Sequence, residues 1–185
     1  TISSVTANLS AFGGASNAVL TNSSDTWSTT YAITSSSVEG SSLNASIIVV
    51  DNAGNSTTVS DTSNVSIDSS VPTVVIATDK TSLKSGQTAS ITFTLSEDST
   101  DFDKDVVSVV GGTLSTLVKS GNIYTSTFTP TVGSTSNATI DVNISTFTDI
   151  AGNDNTAASQ KVISIDTLIP TVTISSDKNS MILSD

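Results

Sequence analysis

Apolar and polar residues alternate with a period of two over much of the chain. Between Thr88 and Leu95 the residues Ala89, Ile91, Phe93 and Leu95 alternate with serine and threonine, the signature of a strand with one buried face. Ile123–Thr129 alternates in the same way, and so does Ala138–Phe147 through Ala138, Ile140, Val142 and Ile144. Shorter branched runs at Thr73–Thr78, Val106–Val110, Thr113–Val118 and Val162–Ile165 complete a set of seven predicted strands. Pro72 and Pro130 bound two of them, and turns are predicted at Gly111-Gly112 and Lys119-Ser120-Gly121-Asn122. No stretch carries a 3.6-residue period. Serine and threonine make up 68 of 185 residues, a proportion also met in disorder. Disordered chains, however, lack branched apolar residues, and here these recur in register. The pattern predicts an all-β chain built as an antiparallel β-sandwich.

The strands belong to a repeating unit. Asp51-Asn52-Ala53-Gly54-Asn55 returns as Asp149-Ile150-Ala151-Gly152-Asn153, a spacing of 98 (149−51). Ser66-Ile67-Asp68 through Pro72-Thr73-Val74 returns at the same spacing as Ser164-Ile165-Asp166 through Pro170-Thr171-Val172. Asp79-Lys80 and Asp177-Lys178, and Gly13-Gly14 and Gly111-Gly112, keep it too. One offset held by four blocks predicts tandem copies of about 98 residues, the size of a seven-stranded sandwich. The expected division is a partial copy over 1–67 that aligns with 99–165 and lacks its opening strands, a complete copy over 68–165, and the first strand of a third copy over 166–185. A sandwich missing strands exposes edges and half a core, so the chain is expected to be a segment of a longer array.

These motifs carry a resemblance. Asp-x-Ala-Gly-Asn, Ile-Asp-x-x-x-Pro-Thr-Val and Ser-Asp-Lys, with Thr92-Phe93-Thr94-Leu95-Ser96-Glu97 and Val109-Val110-Gly111-Gly112-Thr113-Leu114, resemble the bacterial immunoglobulin-like repeats of giant surface adhesins. The resemblance covers 40–185 and, more loosely, 1–39. It implies tandem immunoglobulin-like sandwiches in a long secreted stalk at the cell surface, commonly stiffened by calcium.

Composition narrows the chemistry. The chain has no cysteine and no histidine, and its six basic residues are all lysine. Thiolate nucleophiles, zinc–sulfur sites and the Ser-His-Asp triad are therefore absent. Seventeen acids against those six lysines leave a net charge of -11. Nucleic acid and anionic membranes would repel such a surface, and no apolar run reaches the length of a membrane span. No enzyme is expected.

The acids are not scattered. Nine lie between 72 and 165, and only Asp141 falls within a predicted strand. In an immunoglobulin-like sandwich the loops after the second and sixth strands meet at the pole where the chain enters. Here those loops are Glu97–Asp105 and Asp149–Asn155, and the segment leading in carries Asp68. Crowded carboxylates repel, and a hard cation with all-oxygen ligands relieves the repulsion. Calcium accepts 6 to 8 oxygens in irregular geometry, whereas magnesium demands an octahedron. The candidate ligands are Asp68, Glu97, Asp101, Asp149 and Asn153, with Asp51 and Asn55 at the same place in the first copy and Asp166 ahead of the third. Asp-x-Ala-Gly-Asn is equally good turn chemistry, because Asp and Asn cap local amides and Gly takes positive φ.

The expected function is an extracellular spacer, whose neighbouring repeats are joined rigidly by calcium. Two other roles tolerate the same modules. One is a surface-layer or filament protein with lateral contacts between chains. The other is a glycan- or receptor-binding module, for which Trp27 and Tyr31 are the nearest aromatic pair, although their spacing suits packing better.

Overall fold

A computed structural model of the chain describes residues 1–34 and 37–177. It divides into two compact units, Thr1–Val71 with Ala151–Asn153, and Pro72–Ile150 with Asp154–Asp185. The end of the expected third-copy segment, residues 178–185, lies outside the described residues.

The second unit is an antiparallel β-sandwich. Its strands are β9 (Val74–Thr78), β10 (Ser82–Lys84), β11 (Ala89–Leu95), β12 (Val107–Val110), β13 (Gly112–Leu114), β14 (Val118–Ser120), β15 (Ile123–Pro130), β16 (Ala138–Val142) and β17 (Lys161–Asp166). One sheet runs β13-β15-β11-β9, with β14 also on β15, and the other runs β10-β17-β16-β12. Alternation sets the packing. In β11 the residues Ala89, Ile91, Phe93 and Leu95 are buried while Ser90 and Thr94 face solvent. Their partners are Phe128 from β15, Ile140 and Val142 from β16, and Ile163 from β17, all fully buried. Each such side chain contributes roughly 1.5–3 kcal/mol of burial.

The turn between β12 and β13 admits only glycine. Gly111 sits at φ +79°, and a Cβ on Gly112 would stand 2.4 Å from both the Phe128 ring and the Thr129 carbonyl oxygen. Two predicted strands differ in detail, and one observed strand was not predicted. Thr113–Val118 is broken into β13 and β14, because Ser115 turns its hydroxyl into the ladder and accepts the Thr127 amide at 3.0 Å. Ala138–Phe147 ends as a strand at Val142, after which the chain folds inward to bury Phe147. β10 has no counterpart in the predicted set: three residues with one apolar position, Leu83, are too short to show a period.

The first unit holds β1 (Ile2–Asn8), β2 (Ala18–Val19), β3 (Thr21–Ser23), β4 (Thr26–Ser28), β5 (Gly40–Leu43), β6 (Ser46–Asp51), β7 (Ser56–Ser60) and β8 (Val65–Ile67). Its main sheet runs β2-β1-β6-β7, and β3–β4 and β5–β8 form separate pairs. The core is small: Val5, Ala7 and Leu20, with Leu9, Ala18, Trp27, Ile47 and Val49 packed against it. Trp27 is thus a packing residue.

The repeat can be followed in the strands. Shifted by 98, β5 (Gly40–Leu43) falls within β16 and β8 (Val65–Ile67) within β17, and in each copy the two form an antiparallel pair. Ile67 and Ile165, 98 apart, are both buried.

Candidate metal centre at the leading pole

The pole where the chain enters the second unit is held together by backbone. Val74 pairs with Leu95, the Thr73 amide donates to Ser96 Oγ at 2.9 Å, and the Ser96 amide returns a bond to the Thr73 carbonyl at 2.9 Å. The Thr156 amide donates to the Pro72 carbonyl at 3.0 Å. The loops after β11 and β16 thus flank the incoming chain, as the sequence expected.

The loop after β11 is anchored by Phe102. Its ring lies in edge-on contact with Phe93 (5.7 Å), Tyr124 (4.9 Å) and Phe147 (5.0 Å). Lys119 fastens the outside: its ammonium donates to Asp98 at 2.7 Å and to the Ser99 carbonyl at 3.0 Å, 5.4 Å from the centre of the Tyr124 ring. Hydrogen bonding to Lys119 holds the Asp98 carboxyl below its ordinary pKa and raises that of Lys119 in return. The loop after β16 is organised by Asn155, which is 1% exposed. Its Oδ1 accepts the amides of Thr146 (2.7 Å) and Phe147 (3.0 Å), and its Nδ2 donates to the carbonyls of Asn143 and Thr156. Phe102, Lys119 and Asn155 were not among the candidate residues; a phenylalanine inside an acidic loop was the one signal available.

On this scaffold Glu97 and Asp149 come together, with carboxylate oxygens within 4.8 Å of one another. Asp149 is 4% exposed and Glu97 half-buried. Two like charges that close repel by roughly 1 kcal/mol in water and about 3–4 at a partly shielded site. A cation lodged between them removes that cost.

Asp101 is engaged differently. Its carboxylate accepts the Ser99 hydroxyl (2.8 Å), the Thr148 amide (3.0 Å) and the Thr148 hydroxyl (3.1 Å), clasping one loop to the other. Partial burial raises its pKa, but the bonds from Thr148 and Ser99 outweigh that and leave it lowered. Asn153, half-buried, donates through Nδ2 to the Asp68 carbonyl at 3.2 Å; both belong to the first unit as it divides. The exposed Asp68 carboxylate accepts the Ser70 amide (3.2 Å), and Asp166, 98 positions on, accepts the Leu168 amide (3.3 Å).

In the first unit, Asp51 accepts the amides of Ala53 (2.9 Å) and Asn55 (2.8 Å) and the side-chain amide of Asn55 (2.9 Å). The Asn55 side chain is the main reason its pKa is lowered. Gly54 at φ +88° and Gly152 at φ +94° complete the turn in each copy, so the turn chemistry of the motif is present in both.

The family model for the bacterial Ig-like domain matches residues 68–165, just over half of the chain. The chain belongs to the bacterial Ig-like domain family. Domains of this family are non-catalytic structural modules typical of surface proteins. The matched residues contain every strand of the second unit save the last residue of β17, and they also contain Asp68, Glu97 and Asp149. No curated protein matches the chain. Among the described residues, no helix is long and apolar enough to cross a membrane.

Proposed function

We propose that this bacterial Ig-like chain is an extracellular spacer segment of a repetitive surface adhesin, stiffened by calcium where one repeat leads into the next. The observation that carries the reading is the Glu97–Asp149 carboxylate pair at the leading pole of the sandwich. Such a pair is an incomplete ligand set, and the missing ligands must come from a neighbouring element. Asp68 is four residues ahead of Pro72 (72−68), so a chain rising at most about 3.3–3.6 Å per residue keeps it within roughly 14 Å. A carboxylate from the connecting segment would complete an all-oxygen shell, together with backbone carbonyls and water. Asn153, at the tip of the loop after β16, supplies a further amide. Asp166 holds the place of Asp68 ahead of the following repeat, and Asp51 with Asn55 that of Asp149 with Asn153. A divalent ion bound jointly by a connecting segment and the pole beneath it would restrain the joint. Calcium suits the ligand set better than magnesium, because its coordination number and geometry are flexible. It also suits an extracellular setting, where calcium is abundant.

Calorimetric titration of the whole chain with calcium tests the reading. Heat of binding is expected for the native protein, and at least a tenfold weaker affinity for Glu97→Gln, Asp149→Asn and Asp68→Asn. Asp101→Asn is expected to bind as the native protein does. Absence of binding at millimolar calcium, or indifference to all three ligand substitutions, would refute the site.

A further inference from the structure

β9 is the longest edge strand of the second unit among the described residues, and it pairs with β11 alone. Its register shows which backbone groups that pairing uses. The Ser96 amide donates to the Thr73 carbonyl at 2.9 Å and the Asp79 amide to the Ser90 carbonyl at 3.2 Å. Alternate residues of an antiparallel ladder bond to the same side, so Thr73, Val75, Ala77 and Asp79 turn their backbone groups toward β11. Those of Val74, Ile76 and Thr78 turn the other way, to the open side of the sheet, where no strand of the described residues pairs with them.

Such an edge is a template for another strand, and proteins commonly blunt it with charge, proline or shortness. The other edges of the second unit are blunted in this way. β10, β13 and β14 have three residues each, the first and last with Lys84 and Lys119, and β12 has four and follows the Lys104–Asp105 ion pair. β9 reads Val-Val-Ile-Ala-Thr, with no charge, proline or glycine. Its outward side chains are Val75, 65% exposed, and the exposed Ala77. The rows they open, Val75–Thr94–Ile123 and Ala77–Thr92–Thr125, are uncharged across three strands.

Charge decides what can dock there. Copies of a chain with a net charge of -11 repel one another, and they meet at least cost where neither presents a carboxylate. The nearest to β9 is Asp79, directly after it. In an antiparallel pair centred on Ile76, Asp79 of one copy faces Thr73 of the other and Lys80 faces Pro72. A parallel pair in register would set Asp79 beside Asp79, and like charges side by side destabilise a sheet.

We propose that β9 is a self-association edge, through which two copies of the chain join sheet to sheet about a two-fold axis. Val74 then faces Thr78 of the second copy and Ile76 faces Ile76, so the open amides and carbonyls of each edge bond to those of the other. Val75 lies opposite Ala77 of the second copy, and one uncharged surface runs across both. A single patch serves both partners, as two-fold symmetry requires. The pairing needs neither calcium nor the spacer role.

The chain has no cysteine, so single thiols can read the register. Val75→Cys chains would be mixed with Ala77→Cys chains under mild oxidation. Side chains directly opposite lie about 4.5–5.5 Å apart between Cβ atoms, so the mixed disulfide is expected to form at least tenfold faster than either symmetric one. Both positions are exposed, and the fold is kept. Sedimentation equilibrium of the intact native chain in chelator gives the affinity, with a mass that rises with concentration toward two copies. Val75→Lys is expected to raise the dissociation constant at least tenfold. Val110→Lys, at a comparably exposed valine on the edge strand β12 (59%), is expected to leave it unchanged. The mass of a single copy at millimolar concentration would overturn the proposal. Equal rates for the three disulfides, or a dimer that survives Val75→Lys, would overturn it too.

Discussion

Asp101 shows how one carboxylate can serve architecture where charge counting suggests a ligand. It receives three hydrogen bonds from Ser99 and Thr148 and so joins the two loops of the leading pole. Asp101→Ala is expected to lower stability by about 1 kcal/mol, the low end for a charged acceptor because the group is exposed. The pH dependence has a definite sign. Since the folded pKa is lowered, the contribution is complete above the ordinary carboxylate value of about 3.9 and is lost as pH falls through the lower, folded value. Urea unfolding should therefore separate the native and Asp101→Ala proteins at pH 7 and bring them together at strongly acid pH. A constant gap across that range would contradict the clasp. Asp51 follows the same logic on a smaller scale, as the acceptor of a turn closed by Asn55.

At the scale of elements, strands with a strict period of two were legible, and elements specified by polar side chains were not. β11, β15 and β16 follow from alternation because one face of each must be dry. The break between β13 and β14 depends on where a single serine hydroxyl points. The inward fold after Val142 depends on the four bonds of Asn155. Neither leaves a periodic trace. The gathering of Glu97 with Asp149 was legible because sandwich topology alone places the loops after β11 and β16 at one pole. The anchoring of Glu97's loop by Phe102 was not, since an isolated aromatic in a polar loop has no period to read. Phe102→Ala is expected to cost about 3–4 kcal/mol, from lost burial and a residual cavity, and to weaken calcium binding as the loop loosens. Unfolding and calorimetric titration of that one variant check both effects. Loss of stability with undiminished affinity would separate the loop's anchoring from the site.

Across the whole molecule, two units differ in how complete they are. The second has two facing sheets and a large aromatic and aliphatic core, while the first has one four-stranded sheet, two separate strand pairs and, among the described residues, a core cluster of only three buried apolar side chains. Val172 and Ile174 are 85% and 90% exposed, whereas Val74 and Ile76, 98 positions earlier in the repeated pattern, are 6% and 8% exposed. In the proposed reading the functional question lies at the joints. If an ion restrains them, the chain must stiffen when calcium is supplied. Small-angle scattering of the intact chain, in millimolar calcium and again after excess chelator, measures this most directly. A maximum dimension that is sharply defined in calcium and broadens in chelator, with a fall in melting temperature, is the expected result; scattering and melting unchanged by the chelator would contradict the account.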